Sequence, residues 1–123
     1  SFGSRGVLYN VFVVEGVRAM IYAVDFDGTL CEIAYPDIGP PKQDVIDFCK
    51  QKKAEGHKLI LWTCRCGKYL EQAVKWCRQH GLVFDAVNEN LPERIAEYGG
   101  DCRKISADFY LDDKNLDIYS LGE

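Results

Sequence analysis

The chain has 123 residues, 47% of them apolar and 28% charged, with a formal net charge of −4. That is the composition of one folded domain able to bury a core, and it excludes a disordered tail. No block of basic residues is present, which argues against non-specific nucleic-acid binding, and no apolar run approaches the ~18 residues of a membrane span.

Val7–Val14 is the only candidate core of a signal peptide. It is short, Asn10 interrupts it, and no small-residue cleavage pattern follows. A cytoplasmic protein without a membrane partner is therefore expected. Composition shifts near Met20, the only methionine. Residues 1–19 are read as an N-terminal extension, either upstream or non-native sequence, and residues 20–123 as the domain. The competing reading is an added edge strand at Val7–Val14, because the run is rich in β-branched and aromatic residues.

From Met20 the elements alternate. Ile21–Val24 reads as a buried strand, ending in Asp25-Phe26-Asp27-Gly28-Thr29. A Pro- and Gly-rich loop, Tyr35–Pro41, follows. Val45, Ile46, Phe48 and Cys49 recur at helical spacing until Gly56, and Lys58–Trp62 is a second strand ending in Thr63. Leu70, Ala73, Val74 and Cys77 mark a second helix, closed by His80-Gly81. Val83–Val87 reads as a third strand, Pro92–Tyr98 as a short helix capped by Gly99-Gly100, and Phe109–Leu111 as a fourth strand before Asp112-Asp113. This alternation predicts an α/β domain of three-layer, Rossmann-like type with a mainly parallel central sheet. In such sheets ligands bind beyond the carboxyl ends of the strands. Asp25 and Asp27, Thr63 and Arg65, and Asp112 and Asp113 all fall there.

Those residue types suit phosphoryl transfer. One carboxylate of the Asp25/Asp27 pair can attack phosphorus, and the other can protonate the leaving oxygen and then activate water. Gly28 permits a tight turn whose N–H groups can cradle phosphate oxygens. Asp112 and Asp113 add two more carboxylates. Four acids converging on one rim repel each other, and a divalent cation such as Mg²⁺ resolves that conflict. Thr63 can donate to a phosphate oxygen, and Arg65 can hold a second anionic group. The positive charge that a transferred phosphoryl group needs falls to Lys104, with Arg103 as its rival. The six cysteines, at 31, 49, 64, 66, 77 and 102, are expected to be reduced thiols, because most lie in periodic or apolar segments and no secretion signal is read, and structural zinc is not expected because Cys64-x-Cys66 lacks the second pair of a zinc clip.

Val24–Thr29 (VDFDGT) resembles the first motif of the haloacid dehalogenase (HAD) superfamily, Leu59–Thr63 the second, Lys104 the lysine of the third and Tyr110–Asp113 the acidic fourth. The resemblance covers about residues 20–123 and is closer still to the short HAD-type hydrolases of bacteria and phages. It implies a Mg²⁺-dependent phosphohydrolase that cleaves a phosphate monoester of unspecified identity through an aspartyl-phosphate. By the same implication Asp25 is the nucleophile and a metal ligand. Asp27 is the general acid/base, with its main-chain carbonyl on Mg²⁺. Asp112 and Asp113 complete the metal set. Gly28, Thr29, Thr63, Arg65 and Lys104 bind phosphate. Leu30–Pro41 and Asn88–Asp101 are too short for a cap domain, which in that family implies an open site, a bulky substrate, or a lid supplied by a partner in a homo-oligomer. A receiver-like or degenerate module without turnover is the alternative. Asp27 followed by Gly-Thr argues against it, since a receiver lacks that second carboxylate.

Overall fold

A computed structural model describes residues 12–14 and 17–122. In chain order the strands are β1 (Phe12–Val14), β2 (Val17–Ala19), β3 (Ile21–Val24), β4 (Cys31–Ala34), β5 (Asp37–Pro41), β6 (Lys58–Leu61), β7 (Ala86–Val87) and β8 (Phe109–Leu111). The helices are α1 (Gln43–Ala54), α2 (Gly67–Gln79) and α3 (Pro92–Tyr98), with a 3₁₀ turn at Ile118–Ser120.

All four residues of β3 are buried, as a strand inside a parallel sheet requires, because helical crossovers cover both faces. The sheet runs β7-β6-β3-β8 and every pairing in it is parallel. Alternation along β3 divides the core in two. Tyr22 and Val24 join Leu59, Leu61, the α1 residues Ile46 and Cys49, and the α2 residues Ala73 and Cys77. Ile21 and Ala23 face the other way, onto Ile60, Leu91 at the start of α3, and Ile105. The sheet thus lies between two helical layers, as the alternation of elements implied. α3 begins at a proline, whose missing N–H costs nothing there, and ends at Gly99 in the left-handed conformation (φ +79°).

Three sequence expectations change. The Pro- and Gly-rich loop is a β-hairpin: β4 and β5 pair antiparallel, with a cis Tyr35–Pro36 peptide between them. The third strand is only Ala86–Val87. Ahead of it Val83 is exposed, and the Asp85 carboxylate accepts from Leu59 N at 2.8 Å and Lys53 Nζ at 2.7 Å, so a side chain takes over part of the β6 edge. At the N-terminus, β1 and β2 pair with each other in a separate antiparallel sheet rather than extending the parallel one. The earlier part of Val7–Val14 lies outside the described residues.

The cysteines are free thiols: Cys31, Cys49 and Cys77 are buried, and Cys64, Cys66 and Cys102 exposed. Burial pushes the Cys49 thiol up to about 11 and Cys77 up to about 12, keeping both un-ionised and inert. Among the described residues no helix is long and apolar enough to cross a membrane.

Candidate functional site

The sheet's hydrogen-bond ladder runs one residue past each central strand. Asp25 N donates to Leu111 O at 2.9 Å, Trp62 N to Val24 O at 2.8 Å, and Asn88 N to Leu61 O at 2.8 Å. The residues that follow β3, β6, β7 and β8 are thereby brought to one rim. Carboxylate oxygens of Asp25, Asp112 and Asp113 lie within 4.8 Å of one another there. Three acids so close repel one another while ionised. Burial, followed by the charge of Asp112, pushes the Asp25 carboxyl up from 3.8 to about 6. Asp113 stays below its ordinary value: burial, the largest single influence, raises it, but the Lys114 ammonium 3.5 Å away and a hydrogen bond from the Asp25 carboxyl together outweigh that cost.

Gly28 makes this arrangement sterically possible. Its φ is +87°, and a Cβ there would stand 2.2 Å from Asp113 Oδ2. Thr29, only 6% exposed, ties the two acid-bearing turns together. Its hydroxyl donates to Asp25 Oδ2 and accepts from Asp113 N, each at 3.1 Å. The expectation that Gly28 and Thr29 bind phosphate is therefore revised. Gly28 N–H is spent on Cys31 O and Thr29 N–H on Phe26 O, and the threonine hydroxyl is spent on Asp25, so these residues build the turn.

Arg65 is likewise not where a substrate anion could take it. It is 2% exposed, and its Nε and Nη2 donate to the two oxygens of Asp27, each at 2.8 Å. The remaining N–H groups reach Asp37 O at 2.9 Å, Pro36 O at 3.2 Å and, at the longer distance of 3.5 Å, Tyr69 O. All five donors of the guanidinium have protein acceptors. The hydrogen bonds to Asp27 raise the arginine's own affinity for its proton, against the cost of burial and with the help of the Asp27 charge.

Thr63 is partly exposed at the rim. Its N–H donates to Asn88 Oδ1 at 2.8 Å, and its Oγ1 accepts from Arg65 N at 3.1 Å, which leaves the hydroxyl proton to offer. Lys104 is exposed, with Nζ 5.8 Å from the centre of the Tyr110 ring. It lines a groove of about 600 Å³ together with Trp62 and Asp112, whereas Arg103 lines a separate cavity with Trp62 and Asn88. Of the two cations, Lys104 is the one that shares a groove with a trio carboxylate.

Two participants were not singled out from the sequence. Asn88, one of the described residues with positive φ (+54°), anchors the backbone of Thr63. Lys42 lines a cavity of about 240 Å³ with Gly28, Thr29, Asp112 and Asp113. The only sequence signal for Lys42 was its place between Pro40-Pro41 and the first helix.

No family model and no curated protein matches the chain. Among solved structures it is similar to a conserved protein from Bacteroides thetaiotaomicron, with 45% sequence identity and a TM-score of 0.71, over 80% of this chain and 78% of that one. The identity extends over most of both chains and accompanies a shared fold, so this chain belongs to the same family as the conserved Bacteroides thetaiotaomicron protein.

Proposed function

We propose that the chain is a Mg²⁺-dependent phosphohydrolase of HAD type, cleaving a phosphate monoester through an aspartyl-phosphate on Asp25. The observation that carries this reading is the trio Asp25, Asp112 and Asp113, with carboxylate oxygens within 4.8 Å at the carboxyl end of a parallel sheet. Asp27 stands two residues beyond the proposed nucleophile.

The donor set fits a hard divalent cation. It consists of carboxylate oxygens, and the Asp25 carboxyl is raised first by burial and then by the charge of Asp112, a cost that a bound cation would relieve. Asp25, Asp112 and Asp113 would hold the ion, with the Asp27 main-chain carbonyl as a further oxygen. When bound, Mg²⁺ supplies charge neutralisation for the acids and for the phosphoryl oxygens.

The chain's own residues do the rest. An Asp25 oxygen attacks phosphorus, the bond to the leaving oxygen breaks, and Asp27 passes a proton to that oxygen. Water then attacks the phosphorus of the aspartyl-phosphate and gives its proton to Asp27. The acyl-phosphate P–O bond breaks, and inorganic phosphate leaves. The free hydroxyl proton of Thr63 and the ammonium of Lys104 are the groups left to meet phosphoryl oxygens.

Phosphate release from an aryl and an alkyl phosphate, with Mg²⁺ and with chelator, tests the reading. Activity that needs Mg²⁺ and disappears in Asp25→Asn is expected. A stable label on Asp25 without release would instead indicate a receiver-like module, and no reaction in either form a degenerate one.

A further inference from the structure

Arg65 does more than fill space. Its guanidinium joins the turn after β3 through Asp27, the β4–β5 hairpin through Pro36 O and Asp37 O, and the first turn of α2 through Tyr69 O. Its carbon Cζ also lies 5.0 Å from the ring centres of Phe26 and of Tyr35. We propose that Arg65 is a positioning residue for Asp27, holding the plane of the acid/base carboxyl so that the proton carried at one of its remaining lone pairs points at the leaving oxygen and, once that proton is given up, the lone pair points at the attacking water. This rests on the reading of Asp27 as the acid/base group.

The physical case starts from the side chain. Asp27 lies in a turn rather than in a strand, with 22% of its side chain exposed, and its carboxylate accepts from Arg65 on both oxygens. A carboxylate offers about four lone-pair sites, and a guanidinium fork occupies two of them in one plane. That leaves two directed outward at a fixed angle. A lysine, as a point charge, would hold the charge but not the plane. Orientation matters because a catalytic group displaced by ~1 Å can lose on the order of 10²-fold in rate. The fork is itself immobile, since its other three N–H groups are held by main-chain carbonyls of the hairpin and of α2. The hairpin therefore supplies the rigidity that Arg65 passes on to Asp27.

The test compares kcat and KM for an alkyl and an aryl phosphate in Arg65→Lys, Asp27→Asn and the double variant, at saturating Mg²⁺. A misdirected acid harms the poor leaving group most. We expect kcat/KM on the alkyl phosphate, which reports the steps through departure of the leaving group, to fall by about 10–100-fold in Arg65→Lys, at or below the ~10²–10⁴-fold that general acid–base catalysis supplies, because the acid is misdirected rather than removed. On the aryl phosphate we expect kcat/KM to fall less than about threefold, because departure of an aryl oxide needs little protonation, while kcat falls wherever the Asp27-assisted hydrolysis of the aspartyl-phosphate limits turnover. Adding Asp27→Asn to Arg65→Lys should cost little more than Asp27→Asn alone. Arg65→Lys also removes donors from buried carbonyls, so Tyr35→Ala is made in parallel. That ring is 56% exposed and covers the guanidinium from outside. It should give the same leaving-group bias to a smaller degree, and it decides the matter if Arg65→Lys does not fold. Equal losses of kcat/KM on both substrates, or additive losses in the double variant, would overturn the positioning role while leaving the phosphohydrolase reading intact. A wild-type chain without Mg²⁺-dependent turnover would overturn both.

Discussion

Replacing Asp25 with Asn should stabilise the metal-free chain at neutral pH and at the same time abolish its response to Mg²⁺. The Asp25 carboxyl is pushed from 3.8 to about 6 by burial and by the charge of Asp112. Because the folded value lies above the unfolded one, the folded state holds the proton more tightly. Stability is therefore greatest below about pH 4, falls as pH rises through the window from 3.8 to about 6, and is flat above it. A shift of about two units corresponds to ~3 kcal/mol. Asp25 is only half-buried, so solvent screening reduces this to about 1–2 kcal/mol. Asn has a similar shape, keeps an oxygen to accept from Thr29 Oγ1, and carries no charge. At pH 7.5 without metal the variant should melt roughly 3–8 °C above wild type, and at pH 4 the difference should nearly vanish. With Mg²⁺, wild type should gain stability in proportion to the logarithm of metal concentration, while the variant should not. Thermal melts at both pH values, with Mg²⁺ and with chelator, measure all of this. A variant that is less stable than metal-free wild type at pH 7.5, or a gap that does not close in acid, would refute the claim that burial and the neighbouring acid penalise an ionised Asp25.

Asp27→Asn should lower kcat/KM by about 10²–10⁴-fold on an alkyl phosphate and far less on an aryl phosphate, as parallel rate measurements would show. Metal affinity should change little, since the Asp27 carboxylate lies on Arg65 rather than in the acid trio. Gly28→Ala combines an unfavourable φ of +87° with a Cβ placed 2.2 Å from Asp113 Oδ2. It should lower stability by about 1–3 kcal/mol and weaken Mg²⁺ binding by about tenfold, read by denaturant unfolding and metal titration. A chain beginning at Met20 should keep the parallel sheet. The N–H that Met20 donates to His57 Nδ1 remains in the new terminus, and of the removed residues whose burial is described, Arg18 is exposed and Ala19 buried. Circular dichroism and melting temperature check this, and an insoluble or early-melting product would make β1 and β2 part of the domain.

The amino-acid sequence determined the central architecture because the signals for it are local. Ile21–Val24, Lys58–Leu61 and Phe109–Leu111 are short apolar runs between helical periodicities, and each is a strand of one parallel sheet. The acids that follow the first and last of these runs had to share a rim once the sheet was parallel, and Asp25, Asp112 and Asp113 do. What each polar side chain has left to offer a ligand was not legible there. Arg65 looked like a binder of a substrate anion, yet its partner Asp27 is 38 residues away, and the fold spends all five of its N–H groups. Thr29 looked like a phosphate donor, yet it bonds a backbone N–H 84 residues away. The same holds for the hairpin written in prolines and glycines, and for Asp85, whose side chain bonds the backbone of the neighbouring strand and takes the place of the first half of a predicted strand. Periodicity encodes which face of an element is buried. The number of hydrogen bonds a buried group still has free depends on neighbours that only chain folding brings within 3 Å or so, and tertiary structure alone decides it.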